Sequence, residues 1–350
     1  MCVGKAVQIW ATPTMLKEFA PFRLLRAYGG MYDDATCVGW SACSRWVIVG
    51  SKDLTARVYS ANHLENYTPP TLAGHREQLV HVAFGAGDDA DTAYTVSKDG
   101  ALFEWRLEDI IEEHDREENG NKKRKKTKNT STKRWRMVGK NFFHQPAKLT
   151  CACFHPKTGL LVSGFGHGVF TMHRVGRDVF DLVQTLSISQ EKISAVSFDE
   201  TGDWISIGCA RLGQLVVWEW QSESYVYKQQ GHYFDVNQCA YAPDGSMFAT
   251  ASDDHKVKVW SANTGSCFVT FSEHKAPVSA VAFLPTGHAL VSASLDGTVR
   301  AFDLMRYRNF RVLTSPDPVQ FVSLAVDPTG EVVCAGTSKF FFFGVSLETK

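Results

Sequence analysis

Histidine, serine and aspartate recur in this chain at fixed distances. His75, His232 and His274 lie 22 to 24 residues before Asp99, Asp254 and Asp296, and Ser97, Ser252 and Ser294 stand two before each aspartate. An aromatic closes each set six residues after the aspartate: Trp105, Trp260 and Phe302. Ser51, Asp53 and Tyr59 repeat the last part of the pattern. These are the side chains of a hydrolytic triad, in which imidazole takes the serine proton and the carboxylate orients the imidazole. A catalytic set should occur once, and in α/β-hydrolases a G-x-S-x-G turn presents the serine. Here the set recurs, and no such turn accompanies it. Repetition suits structural chemistry instead. Short polar residues fit tight turns, and a His–Asp–Ser–Trp hydrogen-bond chain satisfies polar groups between buried strands. The run "GFGHG" at 164–168 lacks the Lys-Ser/Thr ending and following helix of a phosphate loop. No His/Cys/Asp/Glu cluster has metal-ligand spacing. No cofactor, metal or small-molecule substrate is therefore expected.

The elements that must position these residues repeat with them. Trp105, Trp218 and Trp260 each end an alternating apolar segment, "ALFEW", "QLVVW" and "KVKVW". Trp218, Trp260 and Phe302 are spaced by 42 residues; Trp10, Tyr59 and Trp105 are spaced by 49 and 46. The long interval from Trp105 to Trp218 holds one degenerate repeat, "GVFTMHR", with His173 at the tryptophan position. Short strands separated by Gly/Asp/Pro turns give an all-β fold. A period of about 40–45 residues with four strands matches a propeller blade. The recurrent polar set resembles the structural tetrad of the WD40 family.

Six four-stranded blades are expected over 32–316, beginning near Thr36, Val80, Leu149, Ile193, Val236 and Val278. Partial blades flank them at 1–31 and 317–350. A propeller removes open edges by closing on itself. "FRLLRAY" is therefore expected to complete the last blade, giving about seven, with incomplete closure as the alternative. Both ends read as cut within a blade. Phe340 to Phe343 break the alternation. They fit either a strand buried on both faces or a terminus that replaces repeat sequence. In "LGQLVVW", Leu212 stands where other repeats have aspartate, so packing is expected to hold Trp218. Trp220 is expected as an exposed aromatic and a candidate RNA or partner contact.

The 350 residues include 37 basic and 37 acidic side chains, so general attraction to nucleic acid or an anionic membrane is not expected. No apolar run approaches a membrane span of about 18 residues, and "MCVGKAVQIW" shows no secretory signal. Nine scattered cysteines without a C-x-x-C pair suit reduced thiols of the cytosol or nucleus. Local patches are the exceptions to charge balance. Residues 108–134 run from acidic to basic and are expected to be a disordered insert. Within it, Lys122, Lys123, Arg124, Lys125 and Lys126 read as a nuclear-localisation element, a polyanion contact or a solvated loop. Arg306, Arg308 and Arg311 interleave with Tyr307 and Phe310, a pattern that suits phosphate and unpaired bases. The same residues also fit a blade edge whose arginines cover apolar surface. On the Gly-His face, Tyr233 and Phe234 are candidate partner anchors; Phe234 equally fits a plug of the interblade core.

The stretches "GDWISIGCARLGQLVVWEWQSESYVYKQQGH", "DDHKVKVWSANTGSCFVTFSEH" and "DGTVRAFDLMRYRNFRVLTSPDPVQF" resemble the periodic tryptophan protein 2 family of WD-repeat proteins. "CVGWSACSRWVIVGSKD" and "LLVSGFGHGVF" add to the likeness. It extends from about Tyr32 to Ser338. The resemblance implies a non-enzymatic nucleolar scaffold with tandem propellers and a helical C-terminal region. It implies membership of the small-subunit processome, support of pre-18S rRNA processing, and contact with other WD-repeat subunits and with pre-rRNA or small nucleolar ribonucleoprotein. The second propeller and helical region lie beyond this sequence, and the Phe run departs from the family pattern. A general WD40 interaction module, such as a ligase substrate receptor or histone-tail reader, is the alternative. A propeller enzyme would need a unique polar cluster outside the repeats, and none is visible.

Overall fold

The computed structural model describes residues 2–3, 6–11, 23–28, 31–33, 35–41, 43, 45–60, 64, 67–87, 90–112, 130–211, 213–314, 320–326, 332–337 and 342–346. Among them every regular element is a strand. Six antiparallel sheets have four strands each, in chain order. Blade I comprises Ala35–Trp40, Trp46–Ser51, Thr55–Ser60 and Thr71–Ala73. Blade II comprises Leu79–Phe84, Thr92–Ser97, Ala101–Glu112 and Thr130–Phe142. Blade III comprises Leu149–His155, Leu160–Phe165, Val169–Gly176 and Val179–Ser187. Blade IV comprises Ile193–Phe198, Trp204–Cys209, Gln214–Glu219 and Ser224–Gln230. Blade V comprises Val236–Tyr241, Met247–Ser252, Val257–Ser261 and Cys267–Phe271. Blade VI comprises Val278–Phe283, Ala289–Ser294, Thr298–Asp303 and Arg308–Thr314.

Burial explains the sequence pattern. Second strands such as Thr92–Ser97 and Leu160–Phe165 are buried at every position, because neighbouring blades cover both faces. Fourth strands alternate or lie open, as in Arg308–Thr314, because they form the outer rim. Each blade packs on the next chiefly through its first strand.

A repeated clasp reinforces that packing. Each first strand carries a β-bulge at its second residue. In blades III to VI the bulged side chain bonds the first carbonyl of the next sheet, whereas Thr36 of blade I bonds Gly50 O of its own sheet. Thr150 Oγ1 donates to Ile193 O (2.6 Å), Ser194 Oγ to Val236 O (2.8 Å), Asn237 Nδ2 to Val278 O (2.9 Å) and Ser279 Oγ to Phe321 O (2.6 Å). Blade II has Val80 at this bulge, and valine cannot donate.

Two expectations are corrected. Arg23–Tyr28, from "FRLLRAY", does not join the last sheet; it pairs with Ala6–Ala11 in a separate sheet that also holds Cys2–Val3. A short connection closes at lower entropic cost than pairing across the whole chain. The last sheet has three described strands, Phe321–Val326, Val332–Thr337 and Phe342–Ser346. Among the described residues no strand pairing joins it to the first sheet. The ring is thus open in its strand pairing. Phe342 and Phe343 lie in the last strand, opposite Gly336 and Ala335.

The second correction concerns the insert. Residues 108–112 and 130–134 are not disordered; they extend a hairpin, with Glu108 opposite Arg134 and Asp109 opposite Lys133. The charge segregation itself supplies opposite charges across the pair. Arg136 also reaches Glu108 at 3.6 Å. Residues 113–129, which hold the basic block Lys122 to Lys126, lie outside the described residues.

Candidate functional site

Each recurrent histidine is buried where a fourth-to-first connection meets the turn between second and third strands. In blade V, His232 Nδ1 donates to Asp254 Oδ2 (2.9 Å). Its Nε2 meets Thr250 Oγ1 at 2.7 Å, and Trp260 Nε1 donates to the same hydroxyl at 2.9 Å. The Thr250 hydroxyl accepts from the indole and is shared with the imidazole. Gly213, at φ +54°, lets the backbone approach closely; a Cβ there would lie 1.9 Å from His232 O.

Blade VI repeats the geometry with one bond fewer. His274 Nδ1 lies 2.9 Å from Asp296 Oδ2, and Nε2 lies 2.7 Å from Ser292 Oγ. Phe302 has no N–H to offer; it stacks on Phe271 with centroids 4.1 Å apart. Burial pushes the Asp296 carboxyl up, but Thr298, the Lys275 N–H and His274 outweigh it and hold it at about 2. Burial pushes His274 below the ordinary imidazole range.

Blade II uses a longer relay. Trp105 Nε1 donates to Thr95 Oγ1 (2.9 Å), Thr95 to His75 Nε2 (2.7 Å), His75 Nδ1 to Ser97 (2.8 Å), and Ser97 to Asp99 (2.5 Å). Burial brings His75 down to about 4. His75 also stacks on Phe103 at 4.0 Å.

The hydroxyl on each histidine Nε2 is therefore Thr95, Thr250 or Ser292, two residues earlier than the serines read from sequence. Ser252 and Ser294 instead bond backbone: Ser252 reaches Phe234 O at 3.4 Å and Ser294 reaches Pro277 O at 2.9 Å. Both accept the N–H of their aspartate. The missed signal was a Ser or Thr four residues before each aspartate, ten before each aromatic.

Trp218 is 3% exposed, and its N–H donates to Gln184 of blade III at 2.8 Å. Leu212 lies outside the described residues. Trp220 is not the exposed aromatic expected. It is half-buried against the Trp218 cluster, and its Nε1 donates to Gly202 O at 2.9 Å. A turn carbonyl within reach draws the indole inward, because a covered N–H needs a partner.

In an antiparallel meander, fourth-to-first and second-to-third connections share one face. Tyr233 and Phe234 stand there, 73% and 60% exposed. Lys256 Nζ lies 5.4 Å from the Tyr233 ring centroid. Tyr32, 80% exposed, occupies the equivalent place in blade I, its N–H donating to Asp53 as that of Tyr233 does to Asp254. Sequence reasoning missed Tyr32 because no histidine precedes it.

Arg306 and Tyr307 lie in the third-to-fourth turn of blade VI and Arg308 opens the fourth strand, on the opposite face, and all are exposed. Asp303 Oδ1 accepts the N–H groups of Met305 and Arg306, and Tyr307 sits at φ +51°. Tyr307 meets Phe268 of blade V edge-on at 6.1 Å. Arg311 is half-buried further along the strand. Among the described residues no group of three or more His, Cys, Asp or Glu could hold a metal ion. Burial pushes the Cys151 and Cys239 thiols up to about 12, so they act as small core side chains.

Four-stranded antiparallel blades and repeated His–Asp–hydroxyl–aromatic relays define a WD-repeat propeller. The "WD domain, G-beta repeat" family model matches residues 22–60, 223–261 and 265–303. The computationally designed Ika8 protein has the same fold, at TM-score 0.70 and 19% identity, over 93% of this chain and 87% of that one. Periodic tryptophan protein 2 of Saccharomyces cerevisiae is 45% identical over 338 residues, 95% of this chain and 36% of the relative. The Schizosaccharomyces pombe homolog is 47% identical over 353 residues, 99% of this chain and 40% of the relative. The chain belongs to the periodic tryptophan protein 2 family. It spans about two fifths of the length of these curated relatives.

Proposed function

We propose that this chain is a non-enzymatic scaffold segment in assembly of the small ribosomal subunit. In this reading it supports pre-18S rRNA processing within the small-subunit processome of the nucleolus. The observation that carries it is kinship with Periodic tryptophan protein 2 along almost the whole chain. The buried state of His75, His232 and His274 supports a structural role for the recurrent polar set, since both ring nitrogens of each are already bonded. Its partners are other WD-repeat subunits and pre-rRNA or small nucleolar ribonucleoprotein. Arg306, Tyr307, Arg308 and Arg311 serve as the RNA contact, and Tyr233 and Phe234 as protein anchors on the other face. Lys122 to Lys126 serve as the nuclear-localisation element.

The tagged protein is expected in the nucleolus, co-purifying with pre-18S precursors. A diffuse cytosolic signal without RNA would defeat the proposal. Arg306→Glu with Arg308→Glu is expected to weaken crosslinking to pre-rRNA and reduce the salt slope by about 2, one for each phosphate contact. Tm should not move. Unchanged crosslinking would return this turn to a plain blade edge.

A further inference from the structure

Blade III replaces the tetrad with rings. His173 stands at the tryptophan position, Ser163 ten residues before it, and His167 and Phe165 at the aspartate and serine positions. Phe143 takes the histidine place, its N–H donating to Gly100 O as that of His232 does to Gly213 O. His173 stacks on Phe180 at 4.7 Å and meets Phe143 at 4.9 Å. An imidazole is smaller than an indole, and space remains. A cavity of about 430 Å³ lies between blades II and III, its walls including Phe142, Phe143, Phe180 and Leu182.

Its polar lining is unfinished. Thr171 and His173 both line the cavity and are 1% and 5% exposed. Thr171 Oγ1 and His173 Nδ1 have no hydrogen-bond partner, and Ser163 Oγ and His167 Nδ1 of the same blade have none either. A buried polar atom without a partner is costly. In blades II, V and VI the groups equivalent to Ser163 and His167 are bonded internally: Thr95, Thr250 and Ser292 to their histidines, and Asp99, Asp254 and Asp296 within the relay. These atoms therefore point to a guest that supplies both a donor and an acceptor. Burial brings His173 down to about 4, so the imidazole is neutral at pH 7 and offers no cation to a carboxylate.

The rim says what carries the guest. The fourth strand of blade III, Val179–Ser187, has an unpaired outer edge among the described residues. Val179, Leu182 and Val183 are exposed along it, and Phe142 is 44% exposed across the cavity. Lys140 is the one lysine or arginine in the lining, which suits a phosphate chain poorly. An open edge with apolar side chains accepts an added strand.

We propose that the wedge between blades II and III is a docking pocket for an extended segment of a partner protein that inserts an asparagine or glutamine side chain. The carboxamide offers an acceptor and a donor to Thr171 and His173, whichever ring nitrogen carries the proton. The segment lies along Val179–Ser187. This site is separate from the Arg306–Arg311 patch and does not depend on the RNA assignment.

The test uses the full chain and pools of synthetic nonapeptides with Gln, Asn, Leu or Glu fixed at the centre and randomised flanks. Fluorescence anisotropy is expected to show the Gln or Asn pool binding at least about tenfold tighter than the Leu and Glu pools, a difference of about 1.4 kcal/mol. Leu182→Arg, at an exposed rim position, should abolish binding without moving Tm. Should that variant not fold, Thr185→Arg closes the same mouth. Thr171→Val should weaken binding and, without peptide, raise Tm by about 2 °C, because it removes an unpaired hydroxyl. Equal binding of the four pools, or binding unaffected by the rim variant, overturns the proposal. So does a fall in Tm for Thr171→Val, which would mean that the fold already satisfies the hydroxyl.

Discussion

Replacing Thr250 with valine removes one hydroxyl and keeps the shape of the side chain. It strands two buried groups: the Trp260 N–H, at 2.9 Å, and His232 Nε2, at 2.7 Å. Each buried group left unpaired costs about 1–3 kcal/mol. Loss of the hydroxyl's own desolvation offsets part of this, and the net loss is about 3 kcal/mol. Ser292→Ala strands only His274 Nε2, because Phe302 has no N–H, and costs about half as much. At about 1.4 °C per kcal/mol for a chain of this length, the Tm losses are about 4 and 2 °C. A double-mutant cycle isolates the cause. Trp260→Phe removes the N–H, so Thr250→Val in that background should cost what Ser292→Ala costs. The coupling is then about 1.5 kcal/mol. Calorimetry on the four proteins of the cycle reads it directly. Additive losses would refute the claim that the hydroxyl serves both rings.

Stability should also depend on pH in a defined window. His75 and His173 are held at about 4 in the fold, against 6.5 for the free side chain. The unfolded chain then binds protons that the native chain refuses, so stability falls as pH drops from about 6.5 to 4, by up to about 3 kcal/mol per group. Asp296, held at about 2, adds a further loss below about 3.8 as it takes up its proton. A urea midpoint that stays flat from pH 7.5 to 5 would refute this. Replacing residues 119–129 with a Gly-Ser linker should leave Tm unchanged, since the cross-strand charge pairs of the hairpin flank that segment. Aggregation or a lowered Tm would show that it packs on the propeller.

The blades were legible because burial writes a period into sequence. First strands begin at Ala35, Leu79, Leu149, Ile193, Val236 and Val278, within one residue of the positions read from alternation and turns. The relay was legible only in outline. Ser97 bonds both His75 and Asp99, yet Ser252 and Ser294 serve the backbone, and proximity in sequence could not separate the two roles. Trp220 was misjudged because strand alternation gives a side and a rim, not the carbonyl of Gly202 that its N–H finds. Closure failed for a different reason. Avoidance of free edges is a global demand, whereas Arg23–Tyr28 answers to the hairpin beside it. The blade III cavity had one sign in the sequence, a histidine where tryptophan recurs, but the volume and unpaired atoms appear only when the rings are packed.

The clasps that run from Thr150 through Ser279 have a mechanical consequence. They tie blades III to VI and the last sheet into one series, each first strand anchored to the next. Val80 interrupts the series between blades II and III, where the cavity also lies. The stitched arc therefore begins at blade III. Amides of blades IV and V should exchange hydrogen only by opening of the whole stitched arc. Those of the first strands of blades I and II, which lie outside the stitched arc, should exchange sooner.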